Sequence, residues 1–174
     1  YLNKITEGRV YAVKGNHDYS SDSFIEIMEN SEFNLLDNSY DLIYNSKNES
    51  IMILGLSSSI KTEIDYDKAL SYFKDDNANK EIFSIALLHE PDNIDELIKY
   101  NSIDLALSGH SHGGQIRLPF IGPLTKINGA TKYYEEYYKV SDSDLYISFG
   151  LGTTTYPFRL FNKPSINFYR MYKK

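Results

Sequence analysis

Three nearly unbroken apolar runs constrain this chain more than anything else in it: "SIMILGLSSS" at 50–59, "EIFSIALLHEPD" at 81–92 and "SIDLALSGH" at 102–110. A strand that alternates apolar and polar residues can leave one face in water. A strand that is apolar at almost every position must be covered on both faces, as the inner strands of parallel sheets are. The segments between the runs read as helices. "DYDKALSYFKDD" turns Ala69, Leu70 and Phe73 to one side, and "NIDELIKY" forms a shorter helix. Strand–helix–strand–helix–strand predicts an α/β domain.

Upstream, "RVYAV" (Arg9 to Val13) reads as a short strand delivering a loop at Gly15. "SDSFIEIMENS" reads as a helix capped by Ser21 or Asp22, with Phe24, Ile25, Ile27 and Met28 as its apolar face. "FNLLDNSYDLIYN" predicts one or two strands broken at Asp37–Ser39, and "KDDNANKE" predicts a surface loop. The tail changes character. "KYYEEYYKV", "DLYISFGLG" and "SINFYRMYKK" alternate, are rich in Tyr, and predict antiparallel strands or hairpins. The Tyr cluster 133–138 suits an amphipathic hairpin better than a lipid-facing surface.

Bulk properties narrow the function classes. A length of 174 residues suits one domain. The net charge of −6 offers no basic stripe for phosphate backbones, so no nucleic-acid partner is expected. The absence of cysteine excludes disulfides and thiolate metal sites. No apolar run reaches the roughly 18 residues of a membrane span. The compartment stays open between the cytoplasm and a membrane surface. The opening "YLNKITEGRVYAV", without Met, reads as the interior of a longer protein.

All four histidines fall just beyond predicted strands: His17 in "KGNHDYS", His89 in "LLHEPD", and His110 and His112 in "SGHSHGGQ". Ligand sites of α/β sheets collect at such strand ends. Any one of these residues alone reads as an ordinary turn or a hydrogen-bonded histidine; together they point to a metal site. Imidazole suits Zn, Mn, Fe or Ni, and an Asn carbonyl suits a harder ion. In extended backbone the two histidines of an H-x-H pair sit about 7 Å apart. That is too far for one ion with bonds of about 2.1 Å unless the chain turns, and it suits two ions about 3.5–4 Å apart. The flanking glycines permit such a turn.

"GNHD", the lone histidine of "LLHEPD", and "GHSHGG", in this order and spacing, resemble the calcineurin-like metallophosphoesterase superfamily. "GHSHGGQIRLPFIGPL" and "LYISFGLGTTTYPFRLFNKPSI" resemble its bacterial phosphodiesterase branch. The resemblance implies an α/β/β/α sandwich, incomplete at the N-terminus, with residues 1–174 as the C-terminal part of a single domain. It implies two divalent ions (Mn, Fe, Zn or Ni) and hydrolysis of phosphate esters, chiefly diesters, by in-line attack. Asn16, His89 and His110 would bind one ion and His112 the other. His17 would face the phosphate and protonate the leaving oxygen, with Asp18 orienting it. Gln115 and Arg117, and Arg159 further on, are candidates for touching substrate. Pro91 would end the His89 loop.

The family's Asp-x-His and Gly-Asp-x-x-Asp motifs do not occur in these residues. Truncation and a decayed enzyme both account for that, and the intact remaining ligands favour truncation. An exposed sheet edge would then recruit an N-terminal fragment or a second copy. Two other readings stay open: a non-catalytic metal-binding or interaction module on the same fold, and a mononuclear enzyme using His89, His110 and His112.

Overall fold

The computed structural model describes residues 9–21, 23–154 and 157–172. Its strands are β1 (Tyr11–Ala12), β2 (Asn34–Leu35), β3 (Ser39–Tyr44), β4 (Ser50–Gly55), β5 (Phe83–Leu88), β6 (Leu105–Ser108), β7 (Arg117–Leu118), β8 (Gly122–Pro123), β9 (Tyr137–Val140) and β10 (Ser143–Ile147). Its helices are α1 (Phe24–Asn30), α2 (Tyr66–Ala69) and α3 (Ile94–Tyr100). The fold is mixed α/β, as the apolar runs require.

A six-stranded sheet in the order β3-β4-β5-β6-β10-β9 forms the centre. The inner strands β4, β5, β6 and β10 are parallel, and the antiparallel β3 and β9 form the edges. The three apolar runs are therefore three of the four inner strands. The β4-to-β5 and β5-to-β6 connections step in the same direction and carry α2 and α3. Parallel crossovers are right-handed, so both helices fall on one face. There Ala69, Leu70, Ile94 and Leu97 pack on Met52, Leu54, Ala86, Leu88, Ala106, Leu145 and Ile147, all buried. On the opposite face Ile51, Ile53, Leu87 and Leu107 are half-buried.

β1 and β2 pair in parallel as a separate small sheet. It packs on the end of β4. A Cβ on Gly55 would come within 2.4 Å of Leu36 Cβ and 2.7 Å of Val13 Cγ1. Gly55 thus lets the strand leading to Gly15 approach the main sheet.

Three local expectations change. "DYDKALSYFKDD" is not one helix: α2 stops at Ala69 and a 3₁₀ turn follows over Ser71–Lys74. Asp65 caps α2 by accepting from the Lys68 N–H at 2.9 Å, and Ser71 Oγ donates to the Lys68 carbonyl at 2.8 Å, competing with a continuous ladder. α1 starts one residue past Ser23, its N-cap, so Ser21 does not cap it; Asp22 lies outside the described residues. Ile25 and Ile27 of its apolar face are exposed. The segment "SINFYRMYKK" forms no strand over its described residues, 165–172. Both sides of β10 are already occupied, by β6 and by β9.

Candidate metal centre

β5 and β6 are in register with Leu88 opposite Ser108. The residues that follow, His89 and Gly109–His110, therefore leave the sheet side by side at its C-terminal edge. The imidazoles lie 4.6 Å apart between ring centres. The loop after β1 supplies the third wall. It turns tightly, with the Asp18 N–H donating to the Gly15 carbonyl at 3.1 Å and the Gly15 N–H donating to Asp18 Oδ2 at 2.7 Å. That turn places Asn16 Oδ1 2.9 Å from His89 Nε2. Gly15 is needed there because a Cβ would lie 2.6 Å from His89 Cε1.

The structure adds a carboxylate that the sequence reading passed over. Glu90 is completely buried. It accepts from Ser58 Oγ, from the Ser59 N–H at 3.1 Å and from Asn93 Nδ2 at 3.2 Å. His89, Glu90 and His110 bring their donor atoms within 4.8 Å of one another, a grouping that could hold a cation. Asn128 and Gly129 close the other side. His110 Nε2 lies 2.8 Å from the Asn128 carbonyl. A carbonyl only accepts, so His110 carries its proton on Nε2 and keeps the Nδ1 lone pair free for a ligand. Gly129, at φ +86°, leaves the room that Glu90 fills; a Cβ would come within 2.6 Å of Glu90 Cγ. The only sequence signal for Glu90 was its position next to His89.

The "GHSHGGQ" loop is not extended. His110, His112, Gly113, Gly114 and Gln115 all have φ between +47° and +73°. The chain thus turns at the histidines themselves as well as at the glycines, and the extended spacing of about 7 Å does not apply. Left-handed backbone at non-glycine residues is stored strain and marks functional loops. The loop is braced throughout. Ser111 Oγ accepts from the Gly113 N–H at 3.1 Å, and Asn162 Nδ2 donates to the His112 carbonyl. A Cβ on Gly113 would meet the Phe149 ring at 2.8 Å.

Gln115 and Arg117 serve this bracing. Gln115 is buried; its Oε1 accepts from the Thr154 N–H at 2.7 Å and Oγ1 at 2.8 Å, and its Nε2 donates to the Phe158 carbonyl at 3.0 Å. Arg117 donates to the Gly113 carbonyl at 3.0 Å and to both oxygens of Glu135 at 2.6 and 2.8 Å. Arg159 donates from Nε and Nη2 to the carbonyls of Phe149, Gly150 and Gly152, while its Nη1 is buried without a hydrogen-bond partner among the described residues. His17 is exposed, and among the described residues no hydrogen bond joins it to Asp18, whose carboxylate holds the Gly15 N–H instead. Pro91 is buried and opens the 3₁₀ turn that leads into α3.

Burial drives the His89 pKa down to about 4, helped by His110 and opposed by Glu90 and Asp18. His112 is also lowered, by burial first and then by Arg159, His110 and His17. Both rings are therefore neutral near pH 7, the form that ligates metal. His112 Nδ1 is buried without a hydrogen-bond partner among the described residues. A neutral imidazole with an unused, desolvated nitrogen suits a ligand role. The Asn16–His89 separation agrees: two ligands at right angles on one ion with bonds of about 2.1 Å stand about 3 Å apart.

A sequence profile of the calcineurin-like phosphoesterases matches residues 1–114. The chain belongs to the calcineurin-like phosphoesterase family. Its matched part includes Asn16, His17, His89, His110 and His112. The metallophosphoesterase YkuE of Bacillus subtilis is 33% identical over 162 residues, which cover 91% of this chain and 54% of that protein. A metallophosphoesterase of Helicobacter pylori is 39% identical over 111 residues, 63% of this chain and 28% of its own. The UDP-2,3-diacylglucosamine pyrophosphatase LpxG of Chlamydia trachomatis is 34% identical over 96 residues, 55% of this chain and 26% of its own. The chain thus spans about half the length of YkuE and less of the other two. No solved structure matches it. Membership makes it part of a hydrolase family that works with divalent metal ions, and the donors gathered at the ends of β5 and β6 fit that chemistry.

Proposed function

We propose that this chain carries one half of a dinuclear centre that hydrolyses phosphodiesters. The observation that carries the reading is the convergence of Asn16, His89 and His110 from three separate loops, with Asn16 Oδ1 2.9 Å from His89 Nε2. Asn16, His89 and His110 would hold one ion, and His112 would contribute to the second. Divalent ions, when bound, supply Lewis-acid stabilisation of the charge that develops on the phosphoryl oxygens. Glu90 adds buried negative charge beside the ligands and favours a cation there. His17, exposed at the mouth, is free to meet the substrate and donate a proton to the leaving oxygen. Asp18 fixes the turn that presents His17. The name of the Chlamydia relative, a pyrophosphatase of a nucleotide-linked lipid, supports substrates whose phosphorus bears two ester or anhydride links.

A second reading has one ion bound by His89, Glu90 and His110, which form a compact donor group. Against it, Glu90 already accepts from three donors. Metal content and hydrolysis of bis(p-nitrophenyl) phosphate, measured together on the full-length protein, separate the two. On the dinuclear reading the protein holds two ions, His110→Ala loses one of them along with turnover, and His17→Ala keeps both while losing about 10²–10⁴-fold in rate. One ion per chain, or loss of metal in His17→Ala, would overturn the assignment.

A further inference from the structure

The hairpin β7–β8 is rooted in the metal-site loop and ends in bare apolar side chains. At its root, a Cβ on Gly114 would lie 2.2 Å from Pro123 Cβ, so the hairpin packs directly on the turn that carries His112. At its tip, Phe120 is fully exposed, Ile121 is 73% exposed, and Leu124 beyond the second strand is exposed as well. A second loop lies alongside: the Arg117 N–H donates to the Leu160 carbonyl at 2.9 Å and the Leu160 N–H donates to the Gln115 carbonyl at 3.2 Å. That loop exposes Phe158, Leu160 and Phe161. Soluble surfaces rarely gather so many large apolar side chains without a use for them.

Charge is segregated around this rim. The chain carries 24 acidic and 18 basic residues. Yet residues 105–134 and 145–172 contain Arg117, Lys126, Lys132, Arg159, Lys163 and Arg170 and no Asp or Glu. Lys126 and Lys163 are exposed beside the apolar loops. Arg117 is paired with Glu135 and Lys132 with Asp95, and Arg170 lines a separate cleft with Asp104, Asp142 and Asp144, so the exposed cations of this rim are Lys126 and Lys163, with Glu135 and Glu136 the acidic groups beside them. An apolar tip flanked by the exposed Lys126 and Lys163 complements a bilayer with anionic headgroups, where the side chains enter the acyl boundary and the lysines meet the phosphates. It does not complement a second copy, because a two-fold contact would set like charges against each other.

We propose that this hairpin and the 158–161 loop dock the protein on an anionic membrane surface, with the metal-site loop held next to the headgroups. The proposal rests on exposure and charge rather than on the metal chemistry, and its test needs no turnover. The chain has no tryptophan but 16 tyrosines, so Phe120→Trp introduces a single indole, excited selectively at the red edge, at a position where melting should not change. Vesicles of 30% phosphatidylglycerol in phosphatidylcholine are expected to blue-shift its emission, and brominated acyl chains to quench it. Pure phosphatidylcholine or 0.5 M salt should weaken binding about tenfold or more. Adding Phe120→Ser with Ile121→Ser to the unlabelled protein should weaken sedimentation with the anionic vesicles about a hundredfold. Light scattering on the same samples reads the alternatives. The proposal is overturned by an indole that neither shifts nor quenches, by an indole already buried before vesicles are added, or by a dimer that the double serine variant dissociates.

Discussion

Gly15→Ala tests the compactness of the metal centre with one methyl group. The backbone φ of Gly15 lies outside the left-handed range, so alanine introduces no conformational strain there. The added Cβ would nevertheless lie 2.6, 2.9 and 3.0 Å from Cε1, Nε2 and Nδ1 of His89. The ring must retreat by about 0.8 Å to regain ordinary van der Waals contact, which begins at 3.4 Å. A retreat of that size stretches the 2.9 Å Asn16–His89 separation toward 3.7 Å, too long for adjacent ligands of one small ion. Overpacking costs about 1–3 kcal/mol, or about 2–12 °C in melting temperature for a chain of this size. Displacing a ligand by this much should weaken metal binding about 10–100-fold, the loss typical of disturbed supporting groups. Titration calorimetry with Mn²⁺ or Zn²⁺ and a thermal melt measure both effects. Gly109→Ala is the control: Gly109 adjoins His110, but its added Cβ would meet nothing within 4 Å. Wild-type metal affinity in Gly15→Ala, or an equal loss in Gly109→Ala, would refute the reasoning.

Acid should destabilise the fold through His89 and His112. Both have folded pKa values below the ordinary 6.5, His89 at about 4, so the unfolded chain binds protons first as pH falls. Stability from these rings is complete above about pH 6.5 and is lost toward pH 4; a melting profile flat across that window, or unchanged in His89→Gln, would contradict this. Glu90→Gln keeps an acceptor for the Ser59 N–H and Asn93 Nδ2 and lets Ser58 Oγ accept from the new amide, but it replaces hydrogen bonds to a carboxylate with weaker neutral ones and should cost about 1–2 kcal/mol in urea unfolding. A loss under about 0.5 kcal/mol would show that the buried carboxylate is not held as described. Gly114→Ala combines φ +73° with a Cβ 2.9 Å from the Thr125 carbonyl, a backbone atom that cannot rotate away. It should lose at least about 2 kcal/mol, and a melt at wild-type temperature would count against the hairpin root described above.

The central sheet was legible because its inner strands are buried on both faces, and burial writes itself as continuous apolar sequence. Met52 to Leu56, Ile85 to Leu88 and Leu105 to Leu107 needed no partner information to be recognised. The tail was harder. Period-two alternation in "SINFYRMYKK" says that a strand would be tolerated, not that a sheet edge is open to receive it, and β10 had no edge to spare. The gathering of His89 and His110 at one edge of the sheet was legible from their positions after strands. Glu90 was not, since a buried carboxylate is a matter of which donors surround it, and Ser58, Ser59 and Asn93 come from other loops. The partners of Gln115 and Arg117 were hidden for the same reason, since Thr154, Phe158 and Glu135 lie far along the chain.

The register that sets Leu88 against Ser108 also fixes an order of events during refolding. Asn16 and His89 are 73 positions apart, and β5 joins β6 in parallel only after the chain between them has looped back. Closing such long-range contacts is slow, and a slip of one residue would send the flanking side chains to opposite faces. Before that pairing, only His110 and His112 are close enough to chelate together. An ion held by the Asn16, His89 and His110 loops would therefore bind after β5 and β6 have paired, as a latch, and its release would keep pace with their opening.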